Sequence, residues 1–449
     1  MPTAPSTQPA MGLRFLGLQL QNDTQRRHLS HFLIANFALI MLASFLPQMQ
    51  AYLLTEFLHA PTEQHGRISG MLNFWQEIVI ILVVAVVGPL SDTLGRKPIM
   101  VTGFFIMAIA IALHPNANSV AELLAYRCIF GVGVACVTVL AVTLLADYVS
   151  DPSRGKAAGL QGVMNGLGAV VAVFLLLRLP AMFQRDGASA VEAGTTVYFI
   201  AAGLSVLFGV MMIFGLKGGR PRAAEEARQS FRELASVGYR AAISDSRIAL
   251  AYGASFIARG NLAIVGTFLA LWATNYGTSV AGLTRSEALA KAGMLVGMAQ
   301  GVALLSAPLF GILADKLDRV KALAVALTIS GIGYGSTYFV RDPFGGQMMV
   351  SAMLIGMGEV GCIITSGVLI SQQSPEHNRG AIIGTFNLCG AVGILIASVV
   401  GGWLFDHWRE PGPFVVFGAL ALVMMGFAVG LTRFGGHNGT LSPKVVMRR

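Results

Sequence analysis

The chain has 449 residues, 55% of them hydrophobic and 12% charged, about half the roughly 25% charge of a soluble globular protein. A soluble domain of that composition would aggregate and is excluded. Thirty-one Lys and Arg against 22 Asp and Glu give a net charge of +9, an excess that in a soluble protein would suggest nucleic acid, but the positions of those charges say otherwise.

Residues 1–30 form a polar tail carrying Arg14, Arg26 and Arg27. The first apolar run, from His31, is long enough to cross a bilayer and reads as a retained helix rather than a cleaved signal peptide. Similar runs recur at 31–53, 68–90, 98–114, 119–147, 155–180, 195–216, 248–275, 290–313, 320–340, 346–371, 380–404 and 413–434. Each can span a ~30 Å hydrocarbon core as a helix, and none shows the alternation of a β-barrel strand. The expected fold is therefore an all-α membrane protein of twelve transmembrane helices, in six-helix bundles at 31–216 and 248–434 joined by 217–247, with a tail at 435–449.

With the amino terminus inside, 22 of the 31 Lys and Arg fall in the tails and cytoplasmic loops, 7 in the outer loops, and Arg127 and Arg259 within spans. That asymmetry places both termini in the cytoplasm. Attraction to anionic lipid headgroups accounts for the basic excess without nucleic acid. Within the connection, Phe231, Leu234, Ala235 and Gly238 follow helical spacing among Arg228, Arg232 and Glu233. This suits either an amphipathic helix on the membrane face or a plain linker. Short outer loops, and N-x-[ST] sites only at Asn22 and Asn438, favour a bacterial inner membrane.

The loops reveal a repeat. Gly88-Pro89-Leu90-Ser91-Asp92-Thr93-Leu94-Gly95-Arg96-Lys97, after the second span, returns after the eighth as Gly311-Ile312-Leu313-Ala314-Asp315-Lys316-Leu317-Asp318-Arg319-Val320-Lys321, 223 residues later. Asp151-Pro152-Ser153-Arg154-Gly155 is echoed by Glu376-His377-Asn378-Arg379-Gly380 at an offset of 225. Two loop pairs at nearly one offset imply two halves in the same orientation.

These loops resemble the major facilitator superfamily along essentially the whole chain. Residues 88–97 match its G-x-L-x-D-x-x-G-R-K signature, and the second copy keeps Gly311, Asp315 and Arg319 but has Asp318 for the second glycine. Arg127 followed by Gly131 meets the family's R-x-x-x-G pattern in the fourth span. The fifth span, with Gly162, Gly166 and Gly168, lacks the proline of the drug-antiporter signature, which argues against antiport. The chain after Leu216 lacks the sugar-porter signature, which argues against a hexose. By resemblance, Gly88, Asp92, Gly95, Arg96 and Asp147, with Asp315 and Arg319, would form a cytoplasmic gate. Asp92 would face the start of the eleventh span and Arg96 would pair with Asp147. Gln372 stands where the second half would need that acid, so its latch should be weaker.

Glu77, Arg127, Arg259 and Glu359 lie inside apolar spans, where a charge costs on the order of 3 kcal/mol unless paired or wetted. At 1.5 Å per residue, Glu77, Arg259 and Glu359 fall roughly 18–20 Å from the cytoplasmic boundary, a depth at which they could share one cavity. The family lines its central cavity with helices 1, 4, 7 and 10, which implies a wall containing Arg127, Arg259 and Glu359. Glu359 is the foremost proton-carrier candidate and Glu77 the second, with a permanent arginine pair as the alternative role. Arg259 could bind a substrate carboxylate or phosphate, or could pair with Glu77 or Glu359. Asn36, Asn73, Gln48, Asn165, Gln300 and Asn387 add polar groups on the spans, suited to substrate contact (Asn36 above all) or to helix-to-helix bonding.

There is no phosphate-binding loop, no H-E-x-x-H and no cysteine pattern for zinc or disulfides. No cofactor, no metal and no enzymatic reaction are expected. The expected function is secondary transport, coupled to protons, of a small amphipathic organic ion or drug-like metabolite by a monomer contacting membrane lipids. A lipid or lysolipid translocator and an uncoupled facilitator are the alternatives.

Overall fold

The structure, a computed structural model, describes residues 14–21, 23–150, 153–219, 231–375 and 378–434. The side chains of Asp92, Phe231, Leu234 and Ala235 also lie outside the described residues, as do the repeat residues 151–152 and 376–377, both N-x-[ST] asparagines and the tail at 435–449.

Among the described residues twelve helices are long and apolar enough to cross a membrane: Arg26–Glu56, Thr62–Gly88, Arg96–Asn116, Val120–Tyr148, Lys156–Arg185, Ala190–Gly215, Ser246–Ser279, Arg285–Lys316, Arg319–Phe339, Gly346–Gln373, Arg379–His407 and Gly412–Arg433. Each overlaps one expected span, with ends that differ by up to six residues. Helix is the required form because every backbone N–H and C=O in hydrocarbon must find its partner within the segment. Several starts are written locally in a Ser or Thr three residues before Glu. Ser119 accepts from the Glu122 amide at 3.2 Å, and Ser189 with Glu192 and Thr284 with Glu287 form reciprocal capping boxes.

Spans one to six pack on one another, as do seven to twelve. The halves meet chiefly where the second span lies against the eleventh and the fifth against the eighth. The closest backbone approaches lie toward one end. At the end away from the chain termini, here the far end, a Cβ on Gly66 would strike Asp406 and the backbone of Gly402, and one on Gly70 would strike the Ser398 carbonyl. A Cβ on Gly293 would press on the Val173 carbonyl, and one on Gly297 would run into Phe174. Eighteen residues make about five turns and return to the same helix face. Gly88 is eighteen past Gly70, Gly311 eighteen past Gly293 and Gly384 eighteen before Gly402, yet each has open space within 4 Å of where its Cβ would be. The faces that touch at the far end therefore separate toward the termini.

Side chains seal the far end. Asp406, near the end of the eleventh span, accepts from the amides of Gly66 at 2.8 Å and Arg67 at 2.6 Å at the start of the second. The amino end of a helix is its positive end, so a carboxylate is well matched there. On the other flank Gln184 donates to the Tyr52 hydroxyl at 3.0 Å and accepts from Ser286, which belongs to the opposite half.

At the termini end each half carries its own added segment. Residues Arg14–Phe15 and Leu18–Gln19 form a small hairpin whose continuation pairs with the loop after the fourth span through Leu20 and Val149. Ser150 N donates to the Gln19 carbonyl at 3.0 Å, and Leu18 and Leu20 are buried. The connection between the halves contains a helix, Phe231–Ser244. Its Gly238 sits against Thr385 of the eleventh span, and its carbonyl accepts from Tyr252 of the seventh at 3.4 Å.

Because Gly402 admits the backbone of Gly66 without a side chain between them, Gly402→Val should wedge the far end apart. Spin labels at His59 and Glu410 should report a longer distance in the variant; an unchanged distance would show that the glycine crossing does not set the closure.

Candidate functional site

Just inside the seal, polar residues form a layer between the halves. Asn73 of the second span donates to the Thr267 hydroxyl of the seventh at 2.5 Å, and its own Oδ1 accepts from Arg127 Nη2 at 3.0 Å. Thr267 lies in a stretch of wider π turn, Val265–Leu269, the kind of local unwinding that re-aims side chains at functional positions. One turn toward the opening from Asn73, Glu77 of the second span lies within electrostatic reach of Arg259 of the seventh, with no direct ion pair between them among the described residues. Arg259 Nη2 donates to Asn387 Oδ1 of the eleventh span at 2.7 Å. The arginine stem lies over Gly390, where any Cβ would overlap it. Glu77 and Arg259 are half-buried and Asn387 is exposed, so the trio sits at the apex of the space between the halves.

Three of the expected site residues lie inside the bundles rather than on the space between the halves. Arg127 does not line that space. It is 1% exposed inside the amino-terminal half, beside Gln50, His114 and Tyr198, and among the described residues it reaches the layer through Asn73. Asn36 is also 1% exposed. It donates to the Phe32 carbonyl at 2.8 Å and accepts from Gln161 at 2.7 Å, which ties the first span to the fifth. Glu359, 3% exposed, points into the carboxy-terminal half, where the side chains of Gln300 and Tyr334 face it. The Tyr334 hydroxyl donates to the Asn261 carbonyl at 3.1 Å and Asn261 donates to Ser330 at 3.0 Å. Glu359 Oε2 has no partner among the described residues. The helix faces thus divide Glu359 from Glu77 and Arg259.

In the gate region, Arg96 Nε donates to Asp147 at 3.0 Å and Nη1 to Ser91 at 2.8 Å. Arg319 Nε donates to Gln372 Oε1 at 2.8 Å, the neutral counterpart of that pair. Both contacts stay within one half, so neither of them bridges the opening. Gly95 holds a φ of +100°, which favours glycine, beside the backbone of Gly219. Its repeat mate Asp318 instead starts the ninth span with its side chain, accepting from the Val320 amide at 3.0 Å. Asp315 is exposed. The Asp92 side chain is outside the described residues, and Gly88 faces open space.

Thr267, Asn261, Tyr334, Gln161 and Asp406 are additions that residue type alone does not single out. The repeat would have found one of them: Asn261 is Asn36 displaced by 225.

Two repeat-related helical halves that separate toward one end, with opposed charges at the apex, define a membrane transporter rather than an enzyme. The chain belongs to the Major Facilitator Superfamily, whose profile matches residues 31–304 and 248–441. It is 26% identical to the magnetosome protein MamH of Paramagnetospirillum magneticum, over 92% of this chain and 94% of MamH. It is 24% identical to the chromaffin granule amine transporter of Rattus norvegicus, over 85% of this chain and 68% of the relative. The crystal structure of the nucleoside transporter NupG superposes with a TM-score of 0.67 at 14% identity, covering 91% of this chain and 100% of NupG.

Asn73 is the acceptor for a buried guanidinium whose Nε has no partner among the described residues. Asn73→Leu should therefore lower stability by about 2 kcal/mol, read as a fall in the thermal unfolding midpoint in detergent. An unshifted midpoint would show that Arg127 finds another acceptor.

Proposed function

We propose that the protein is a proton-coupled secondary transporter that carries a small amphipathic organic ion across a bacterial inner membrane by alternating access. It acts as a monomer with both termini in the cytoplasm. The observation that carries this reading is the one-sided opening. Faces of the second, eighth and eleventh spans touch at the far end and stand clear five turns away, which is what one of two alternating states requires.

In this reading the opening leads from the cytoplasm to Glu77, Arg259 and Asn387, and the far-end contacts of Asp406 and Gln184 must break for the other state to form. Re-closure at the termini end falls to the 88–97 loop, in which Asp92 meets the start of the eleventh span. Arg259 is the substrate-binding residue. Glu359 is the proton carrier: no cation faces it among the described residues, so it is not held as a permanent ion pair, and its Oε2 is free to carry a proton. Glu77 has a charged neighbour in Arg259 and is the weaker candidate for that task. The amine-transporter relative supports an organic ion as cargo.

The test uses purified protein in liposomes loaded with a pH-sensitive dye, with organic cations, anions, zwitterions and lysolipids as candidates. One class should drive proton flux, and Glu359→Gln should abolish that flux while leaving substrate exchange. Uptake without proton movement would make Glu359 structural and the protein an uncoupled carrier. Asp92→Asn should cut transport at unchanged expression, and full flux in that variant would remove the loop from the gate.

A further inference from the structure

We propose that Glu77 and Arg259 together bind a compact zwitterion, its ammonium group on Glu77 and its carboxylate on Arg259, held between the two halves. This rests on the transporter reading and narrows its substrate.

The first argument is electrostatic. The two charges interact with one another, and among the described residues neither is held in an ion pair with any other group. They come from opposite halves, the second span and the seventh, and among the described residues no direct ion pair joins them. A substrate entering between them weakens their mutual attraction. A simple cation would satisfy Glu77 and strand Arg259; a simple anion would do the reverse. In surroundings of low dielectric a stranded charge is the costly outcome. A molecule carrying both charges at a separation matching the pair leaves neither unpaired.

The second argument concerns unused hydrogen bonding. A guanidinium has five N–H donors, and Arg259 places one on Asn387. That bond and the close pass over Gly390 fix the arginine from the side of the eleventh span, and the remaining donors suit a carboxylate in a two-pronged contact. Among the described residues no hydrogen bond reaches the Glu77 carboxylate, which leaves its oxygens available to an ammonium group. Access comes from one side only. Asn73 and Thr267 close the layer one turn outward, whereas Gly384, one turn from Asn387 toward the termini, faces open space.

Binding to full-length protein in detergent, followed by calorimetry, tests the idea with α- and ω-amino acids, the matching alkylamines and the matching carboxylates. The wild type should bind at least one zwitterion about tenfold or more tighter than the amine and the acid of the same carbon skeleton. Glu77→Gln should erase that margin over the carboxylate, and Arg259→Gln the margin over the amine, so that each variant changes preference and not merely affinity. Glu77→Asp and Arg259→Lys, which keep the charges, should retain the zwitterion preference and serve if the neutral variants do not fold. An amine or acid bound as tightly as every zwitterion would overturn the proposal, as would neutral variants with unchanged preference. Proton-coupled uptake of a non-zwitterion with no zwitterion bound would overturn this assignment while leaving the transporter reading intact.

Discussion

The arrangement depends on one backbone-to-backbone crossing, that of the second and eleventh spans at the far end. Glycines on both helices let the main chains approach, and Asp406 then binds two amides at the start of the second span. Charge-assisted bonds to a positive helix end are strong and directional, so this junction fixes where the two helices meet. Pinned there, they diverge toward the termini, and the divergence is the opening. The same junction sets Asn73 and Glu77, one and two turns further along, against the seventh span. Closure, the polar layer and the charged apex are thus successive turns of one helix pair.

Much of the architecture was legible in the sequence. Twelve apolar runs and two loop repeats specify helices and halves, because hydropathy reports length and depth directly. It does not report which face of a helix points where. Counted along the sequence Glu359 falls level with Glu77 and Arg259, yet its helix packs Gly356, Gly358 and Gly361 on Ala299, Ser330 and Phe310 of the eighth and ninth spans. Glycines on different sides of this helix let the eighth and ninth spans close around it, and the glutamate is buried within that bundle. Arg127 illustrates the same limit: its signature identifies the residue, while Asn73, an uncharged partner on another helix, decides what it can reach.

The repeat carries more information than its loops. Asn36 and Asn261 are repeat mates, as are Glu77 and Gln300 and Gly95 and Asp318. In each pair the position is kept and the use has changed. Asn36 ties the first span to the fifth, whereas Asn261 ties the seventh to the ninth, next to the Tyr334 that faces Glu359. Gln300 faces Glu359 at the place where its mate faces Arg259. A left-handed glycine turn in one half is an aspartate cap in the other. Both solutions start a helix, so the scaffold survived while the charges inside it diverged.

The bonds of Asp406 end on main-chain amides, and this bears on how such a chain can vary. An ordinary ion pair can be lost by changing either partner. Here the partner is common to nearly every amino acid, and at residues 66 and 67 only proline lacks the N–H that the carboxylate needs. The hydrogen bonds therefore place almost no demand on side-chain identity at Arg67, while the glycine beside it is required for space alone. Sequence drift can release the junction chemically by essentially one route, the loss of the carboxylate at position 406. A homologue lacking that acid would have to hold its far end by other means, or would rest open on the opposite side.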